Sequence, residues 1–291
     1  MGVTREVAIE VAHCAGMCFG VERALDMAFT ASREAVQPVR TLGELIHNPR
    51  VTQELAAAGV GLAEGLAEGD AGTVVIRAHG VTPQVVARAE GLGLTVVDAT
   101  CPYVKKAHVA AARLAAEGYQ VLVVGEEGHP EVEGIMGHAG PGACVVSAPA
   151  DITGLEISRK VGVVVQTTQT DEALAAVVAA LLPRAAEVRV VNTICKATHD
   201  RQASAAELAW RADAMVVVGG KNSGNTRRLA QICAERCGRT HHIEDASELD
   251  AAWFEGVSLV GVAAGASTPA SHVAQALDRL RALLPQARLV S

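Results

Sequence analysis

Three times along this chain a β-prone run ends in a cysteine and gives way to a helix-prone stretch with basic residues in its first turns. The first is the run into Cys18, followed by Phe19-Gly-Val-Glu-Arg-Ala24. The second is Val96-Val-Asp-Ala-Thr-Cys101, followed by Pro102-Tyr-Val-Lys-Lys-Ala107. The third is Val190-Val-Asn-Thr-Ile-Cys195, followed by Lys196-Ala-Thr-His-Asp-Arg-Gln-Ala203. The cysteines are 83 and 94 residues apart. Solenoid repeats recur every ~20–50 residues, so this longer period marks small domains. It predicts three related units, each contributing one cysteine.

Between these points β-rich runs alternate with Ala-rich helical ones. Strands are expected at 73–77, 95–98, 120–124, 161–165, 188–192, 214–218 and 259–263. They are apolar nearly throughout, as strands buried on both faces are. Helices are expected at 83–91, 104–118, 171–182, 202–212 and 226–236. The alternation predicts an α/β fold with parallel sheets. Residues 59–72 read as a surface loop around a short helix. The expected domains are 19–101, 102–194 and 195–291, with 1–18 packing against the third, arranged with pseudo-threefold symmetry as one compact body.

Composition narrows the function. Half of the 291 residues are hydrophobic, so the chain folds. Net charge is −7 and only Trp, Tyr and Phe at counts of 2, 2 and 3 supply aromatic rings, which argues against nucleic acid as partner. The charged N-terminus, with Arg5, Glu6 and Glu10, is unlike a signal peptide, and the longest apolar run, 173–182, is too short for a membrane span. A soluble cytoplasmic protein, monomeric and without membrane contact, is expected. The seven cysteines (Cys14, Cys18, Cys101, Cys144, Cys195, Cys233, Cys237) are odd in number and lack an export signal, which favours metal or redox chemistry over disulfides.

A cysteine at the carboxyl end of a parallel strand sits where α/β proteins place ligands. A helix N-terminus behind it favours thiolate, the metal-binding form. A single such cysteine is more often buried packing. Three in matching contexts point to an iron–sulfur cluster with one iron left open. Cys144 and Cys233 read as packing residues, and Cys233 with Cys237 as packing before a minor metal or redox pair. Cys14 competes with Cys18 for the N-terminal ligand position.

Three histidines, His47, His79 and His129, lie in Gly- or Pro-flanked loops after β-like segments and together suggest an anion pocket. Lys221-Asn-Ser223-Gly224-Asn225-Thr226 opens a helix after one strand, and Gly265-Ala-Ser267-Thr-Pro269 follows another; such segments bind phosphate, although they also cap helices everywhere. No Walker A motif is present. Glu131 is the expected acid; Glu133 beside it reads as a solvated charge, a reading open to Glu131 as well. Thr167 and Thr168, in Gln166-Thr-Thr168, are placed to orient a hydroxyl or relay a proton.

With these segments assembled, the sequence resembles the 4-hydroxy-3-methylbut-2-enyl diphosphate reductase family of the non-mevalonate isoprenoid pathway. The resemblance runs from about Ala12 to Ser271. It is carried by Gly16-Met-Cys18-Phe-Gly-Val-Glu-Arg-Ala24, Gly43-Glu-Leu-Ile-His47-Asn48, Ala78-His79-Gly80-Val81, Asp98-Ala-Thr-Cys101-Pro102, Gly128-His129-Pro-Glu131-Val-Glu-Gly134, Gln166-Thr-Thr168, Asn192-Thr-Ile-Cys195, Lys221-Asn-Ser223 and Gly265-Ala-Ser267. Each is weak alone; their number and order carry the likeness.

The resemblance implies a trefoil of three α/β domains around a [4Fe–4S] cluster, which becomes [3Fe–4S] on loss of the open iron. It implies Cys18, Cys101 and Cys195 as ligands, with Cys18 preferred to Cys14. It gives His47, His79, His129, Ser223, Asn225 and Ser267 to the diphosphate, with Thr168 and Gly224 in the same binding set. It gives Glu131 proton delivery and places Thr167 near the substrate hydroxyl. The implied reaction is reductive dehydration to isopentenyl and dimethylallyl diphosphate, with electrons from a ferredoxin or flavodoxin. Departures are Gly224 where many relatives have serine, Lys196 and His199-Asp200 after the third cysteine, and Cys14. A noncatalytic iron–sulfur sensor, a zinc protein and a plain binding module are the competing readings.

Overall fold

The computed structural model of the chain describes residues 7–290. Arg5 and Glu6 of the charged N-terminal stretch lie outside the described residues. The α/β architecture expected from the alternation is present, with three sheets whose strands all run parallel.

By the density of internal contacts the chain divides into two compact units. One comprises Met1–Cys18, His47–Pro49 and Lys196–Ser291; the other comprises Phe19–Ile46 and Arg50–Cys195. We call them the terminal and central units.

The central unit holds two four-stranded sheets. The first contains β2 (Val39–Leu42), β3 (Val60–Ala63), β4 (Thr73–Ile76) and β5 (Thr95–Asp98) in the order β3-β2-β4-β5. The second contains β6 (Gln120–Val124), β7 (Cys144–Val146), β8 (Lys160–Val165) and β9 (Glu187–Val191) in the order β7-β6-β8-β9. Helices α1 (Phe19–Glu34), α2 (Pro49–Ala57), α3 (Pro83–Gly91), α4 (Pro102–Ala116), α5 (Pro130–Ala139) and α6 (Asp171–Leu181) alternate with the strands. Four of them open on proline, which has no N–H to lose and a preset φ at that position.

The terminal unit holds a five-stranded sheet of β1 (Ala8–Val11), β10 (Ala214–Val218), β11 (Thr240–Ile243), β12 (Leu259–Ala264) and β13 (Arg288–Val290), ordered β11-β10-β12-β1-β13. Its helices are α7 (Lys196–Arg211), α8 (Gly224–Ala234) and α9 (Ala270–Leu283). The N-terminal strand β1 thus joins strands made by the last third of the chain.

All three sheets contain one pattern: the second-formed strand lies at an edge, the first beside it, then the third and the fourth. In the terminal sheet β1 takes the fourth place. The inner strands are apolar because helices cover both their faces. Val161, Val163, Val164 and Val165 of β8 and Val216, Val217 and Met215 of β10 are fully buried.

Residues 59–72 do not contain the expected helix. Val60 pairs with Val39 in β3 and is buried, so tertiary pairing overrides local preference there. Helix α7 begins at Lys196, six positions before the expected start, because Thr198 and Arg201 of its polar first turns are buried. Among the described residues, no helix is long and apolar enough to cross a membrane.

Candidate active site

Each of the three cysteines immediately precedes a helix: Cys18 before α1, Cys101 before α4 and Cys195 before α7. All three are half-buried and none is in a disulfide. Two are delivered by the same local device. Asp98 Oδ1 accepts from Thr100 N at 3.0 Å, and Asn192 Oδ1 accepts from Ile194 N at 3.0 Å. These side chains mimic a backbone turn at the end of an edge strand and aim the chain into the helix.

A second device is common to all three. Cys18 N donates to Ala266 O at 3.1 Å, Cys101 N to Ala78 O at 3.0 Å, and Cys195 N to Thr167 O at 3.1 Å. Each acceptor lies two residues past the end of the neighbouring strand, β12, β4 or β8. The residue after each acceptor is Ser267, His79 or Thr168. The threefold repeat of the sequence therefore extends to individual hydrogen bonds. Cys14 lies in a turn of the β1–α1 connection and has no such place.

In the central unit Thr167 is a junction. Its N–H donates to Glu131 Oε1 at 2.6 Å and its hydroxyl to Glu131 Oε2 at 3.0 Å, while its carbonyl accepts from Cys195 N. Carboxyl, threonine and cysteine are thus linked through one residue. Glu131 is only 2% exposed and, among the described residues, pairs with no cation. It sits in the first turn of α5, where the helix dipole favours its anion. Burial wins, and its pKa is pushed up to about 7 against the two Thr167 bonds that lower it. Glu133, by contrast, is exposed and lies 4.0 Å from Arg77.

His129 caps α5: its Nδ1 accepts from Glu131 N at 3.1 Å. With Nδ1 an acceptor, the proton of the neutral ring belongs on Nε2. His79 meets His129 edge-to-face, with centroids 5.6 Å apart. Gln166 Oε1 accepts from Glu126 N at 3.0 Å and ties the His129 loop to the Thr167 loop.

Behind this group lies a residue that sequence reasoning missed. His108 of α4 is buried, stacks on His138 at 4.0 Å, and is held neutral, with a pKa lowered to about 4 by burial and then by His138. Its ring fills the space left by two glycines. A Cβ at Gly80 would lie 2.5 Å from His108 Cε1, and one at Gly134 would lie 3.0 Å from His108 Nε2. Gly80 also has φ of +74°, so the turn after His79 requires glycine twice over. The signal was a lone histidine in a helix between two distant glycines, which no local pattern joins.

In the terminal unit, the short segment His47–Pro49 is clasped by the β12–α9 loop. Asn48 Nδ2 donates to Ser267 O at 2.8 Å, and Ser267 Oγ donates to His47 O at 3.3 Å. Ser223 caps α8, accepting from Thr226 N at 3.3 Å. Gly224 and Asn225 occupy the first helical positions, whose N–H groups have no intrahelical acceptor. Asn225 is buried and, among the described residues, no protein group accepts from its Nδ2, which leaves that donor available.

The other cysteines lie elsewhere. Cys233 and Cys237 are buried in the core beneath β10 and β12, and burial pushes the Cys233 thiol up to about 12, so it stays protonated. Cys144 is on edge strand β7. Among the described residues, no three His, Cys, Asp or Glu side chains are grouped around a single metal ion.

The comparisons with known proteins agree with one another. The model of the LytB protein family matches residues 9–281. The 4-hydroxy-3-methylbut-2-enyl diphosphate reductase of Pelobacter propionicus is 50% identical over 270 residues, 93% of this chain and 96% of that protein. Its namesake in Citrifermentans bemidjiense is 49% identical over 274 residues, 94% of this chain and 96% of that protein. A solved structure of (E)-4-hydroxy-3-methyl-but-2-enyl diphosphate reductase, the terminal enzyme of the non-mevalonate pathway, matches with TM-score 0.69 and 44% identity over 95% of this chain and 99% of that one. The structure of the E-1-hydroxy-2-methyl-but-2-enyl-4-diphosphate reductase from Plasmodium falciparum matches with TM-score 0.90 and 25% identity over 98% and 92%. Matched over nearly its whole length by family model and relatives alike, the chain belongs to the LytB family of 4-hydroxy-3-methylbut-2-enyl diphosphate reductases.

Proposed function

We propose that the chain reduces 4-hydroxy-3-methylbut-2-enyl diphosphate to isopentenyl and dimethylallyl diphosphate. The allylic C–O bond breaks, two electrons and two protons are taken up, and a C–H bond and water form. The observation that carries this reading is the buried Glu131 carboxyl with its pKa near 7, held on Thr167 next to Cys195. An acid poised near neutrality is what protonation of a departing oxygen needs.

The donor set fits a cluster. Cys18, Cys101 and Cys195 are thiols at equivalent strand-to-helix turns, their N–H groups already tied down, and three sulfurs leave a cuboidal cluster one open corner. When bound, a [4Fe–4S] group supplies a Lewis-acidic iron and a path for single electrons. The remaining work falls to the chain. His79 and His129 offer ring N–H groups, and His47, Thr168, Ser223, Asn225, Ser267 and the backbone N–H of Gly224 complete an anion-binding set for the diphosphate. With glycine at 224, that position contributes its N–H and no hydroxyl. Thr167 orients the substrate hydroxyl, and Glu131 delivers the proton.

The reading includes a ferredoxin or flavodoxin as donor, a cytoplasmic monomer, and domains at 19–101, 102–194 and 195–291 with 1–18 attached to the third. A noncatalytic sensor would have no use for a buried acid or a set of anion donors. The test is anaerobic turnover of the hydroxylated diphosphate with reduced methyl viologen. Brown protein that makes both five-carbon products supports the reading. Brown protein that binds the diphosphate without product would replace it with the sensor.

A further inference from the structure

A groove of about 340 Å3 runs between α4 and edge strand β9 in the central unit. Its charged lining residues are Lys105, Lys106, Arg113 and Arg189, with no carboxylate among them, on a chain of net charge −7. Its apolar lining is Val109, Ala110, Leu114 and Val191, and Val109 is 67% exposed. Two acids at the margin offset part of the charge: Asp98 pairs with Lys105 at 2.6 Å, and Glu117 pairs with both Arg113 and Arg189. A surplus of two positive charges remains. Lys106 has no carboxylate partner among the described residues and lies 5.0 Å over the Tyr103 ring.

Both walls lead to proposed cluster ligands. Helix α4 starts directly after Cys101, and a rise of 1.5 Å per residue puts Lys105 and Lys106 about 6–8 Å along its axis from that cysteine, and Val109 about 12 Å. Strand β9 ends at Val191, four residues before Cys195. A basic rim around an exposed apolar centre is the surface that attracts and seats an acidic protein.

We infer that the groove between α4 and β9 docks a small acidic protein bearing a one-electron iron–sulfur centre. This rests on the reductase reading. Each encounter oxidises one carrier by one electron, and two encounters supply the pair that the alcohol consumes together with two protons.

The test compares the wild type with a Lys106→Glu, Val109→Glu double variant, both positions being exposed and outside the site. A reduced acidic bacterial ferredoxin and methyl viologen serve as alternative donors, and calorimetry measures ferredoxin binding to the anaerobic holoprotein. Binding to the wild type should weaken steeply with salt. In the double variant Kd and the KM for ferredoxin should each rise about tenfold, while viologen-driven turnover stays within about twofold. Unchanged Kd and KM would overturn the inference. So would an equal loss with both donors, or a wild type that dimerises through this groove and binds no ferredoxin. A wild type inactive even with viologen would instead count against the reductase reading, and calorimetry would still decide the groove.

Discussion

The central and terminal units carry the same strand-and-loop scaffold but load it with different chemistry. Loops of the central unit present ring and carboxyl groups: His79, His129 and Glu131, with Thr167 between acid and cysteine. The equivalent loops of the terminal unit present Ser223, Gly224, Asn225 and Ser267, which donate hydrogen bonds and do not titrate near neutrality. On the proposed reading, one fold thus carries the proton-delivering acid in one unit alone and anion donors in both. The comparison teaches that repeated topology fixes where functional atoms sit, while individual side chains decide what they do.

Removing a cysteine should be the most damaging change and should ignore the difference between the units. Cys18→Ala in the terminal unit and Cys195→Ala in the central one are both expected to abolish the broad visible absorption of anaerobically reconstituted protein and all turnover. Cys14→Ser, which lies outside the repeated position, should keep both. Loss of the cluster in Cys14→Ser would break the threefold account.

Next comes Glu131→Gln, which strikes the proton-handling unit alone. It should lower kcat by about 10²–10⁴-fold with little change in KM and an intact cluster spectrum. Retained turnover would remove Glu131 from its role.

The same carboxyl should set the pH dependence. Its folded-state pKa lies above the ordinary 4.5, at about 7, so the folded chain binds an extra proton between these values. Stability is then highest below pH 4.5 as far as this group is concerned, and falls as pH rises through about 7. The full loss is on the order of 3 kcal/mol. The kcat should decline over the same upper limb as the acid form is depleted. Unfolding and turnover measured across pH should show both slopes in the wild type and neither in Glu131→Gln.

Ser223→Ala should give the smallest effect and mark the terminal unit as a binding region. Loss of the α8 cap should cost about 1 kcal/mol of stability, and KM should rise several-fold with kcat nearly unchanged. A kcat loss comparable to that of Glu131→Gln would erase the proposed division.

Much of this plan was legible in the sequence because the informative strands are buried on both faces. Runs such as Val161–Val165 and Ala214–Val218 read as strands by composition alone, and the cysteines after 98 and 192 announced themselves by their matching contexts. The edge strands did not. Thr240–Ile243 includes two histidines, and Val60–Ala63 is half exposed, so neither carries an apolar run. Nor does any local signal say that Ala8–Val11 pairs with both Leu259–Ala264 and Arg288–Val290. In the site, Glu131 was visible as a candidate, but its near-neutral pKa comes from burial, which outweighs the lowering bonds from Thr167, 36 positions away. His108 was invisible because its partners are the absent side chains of Gly80 and Gly134.

The central claim is that Cys18, Cys101 and Cys195 hold one cluster with an iron reserved for substrate. Mössbauer spectroscopy of anaerobically prepared, iron-enriched protein tests it most directly. The account predicts a four-iron cluster in which one iron differs from the other three, and only that iron responds when the hydroxylated diphosphate is added. Four equivalent irons that ignore the substrate would contradict it.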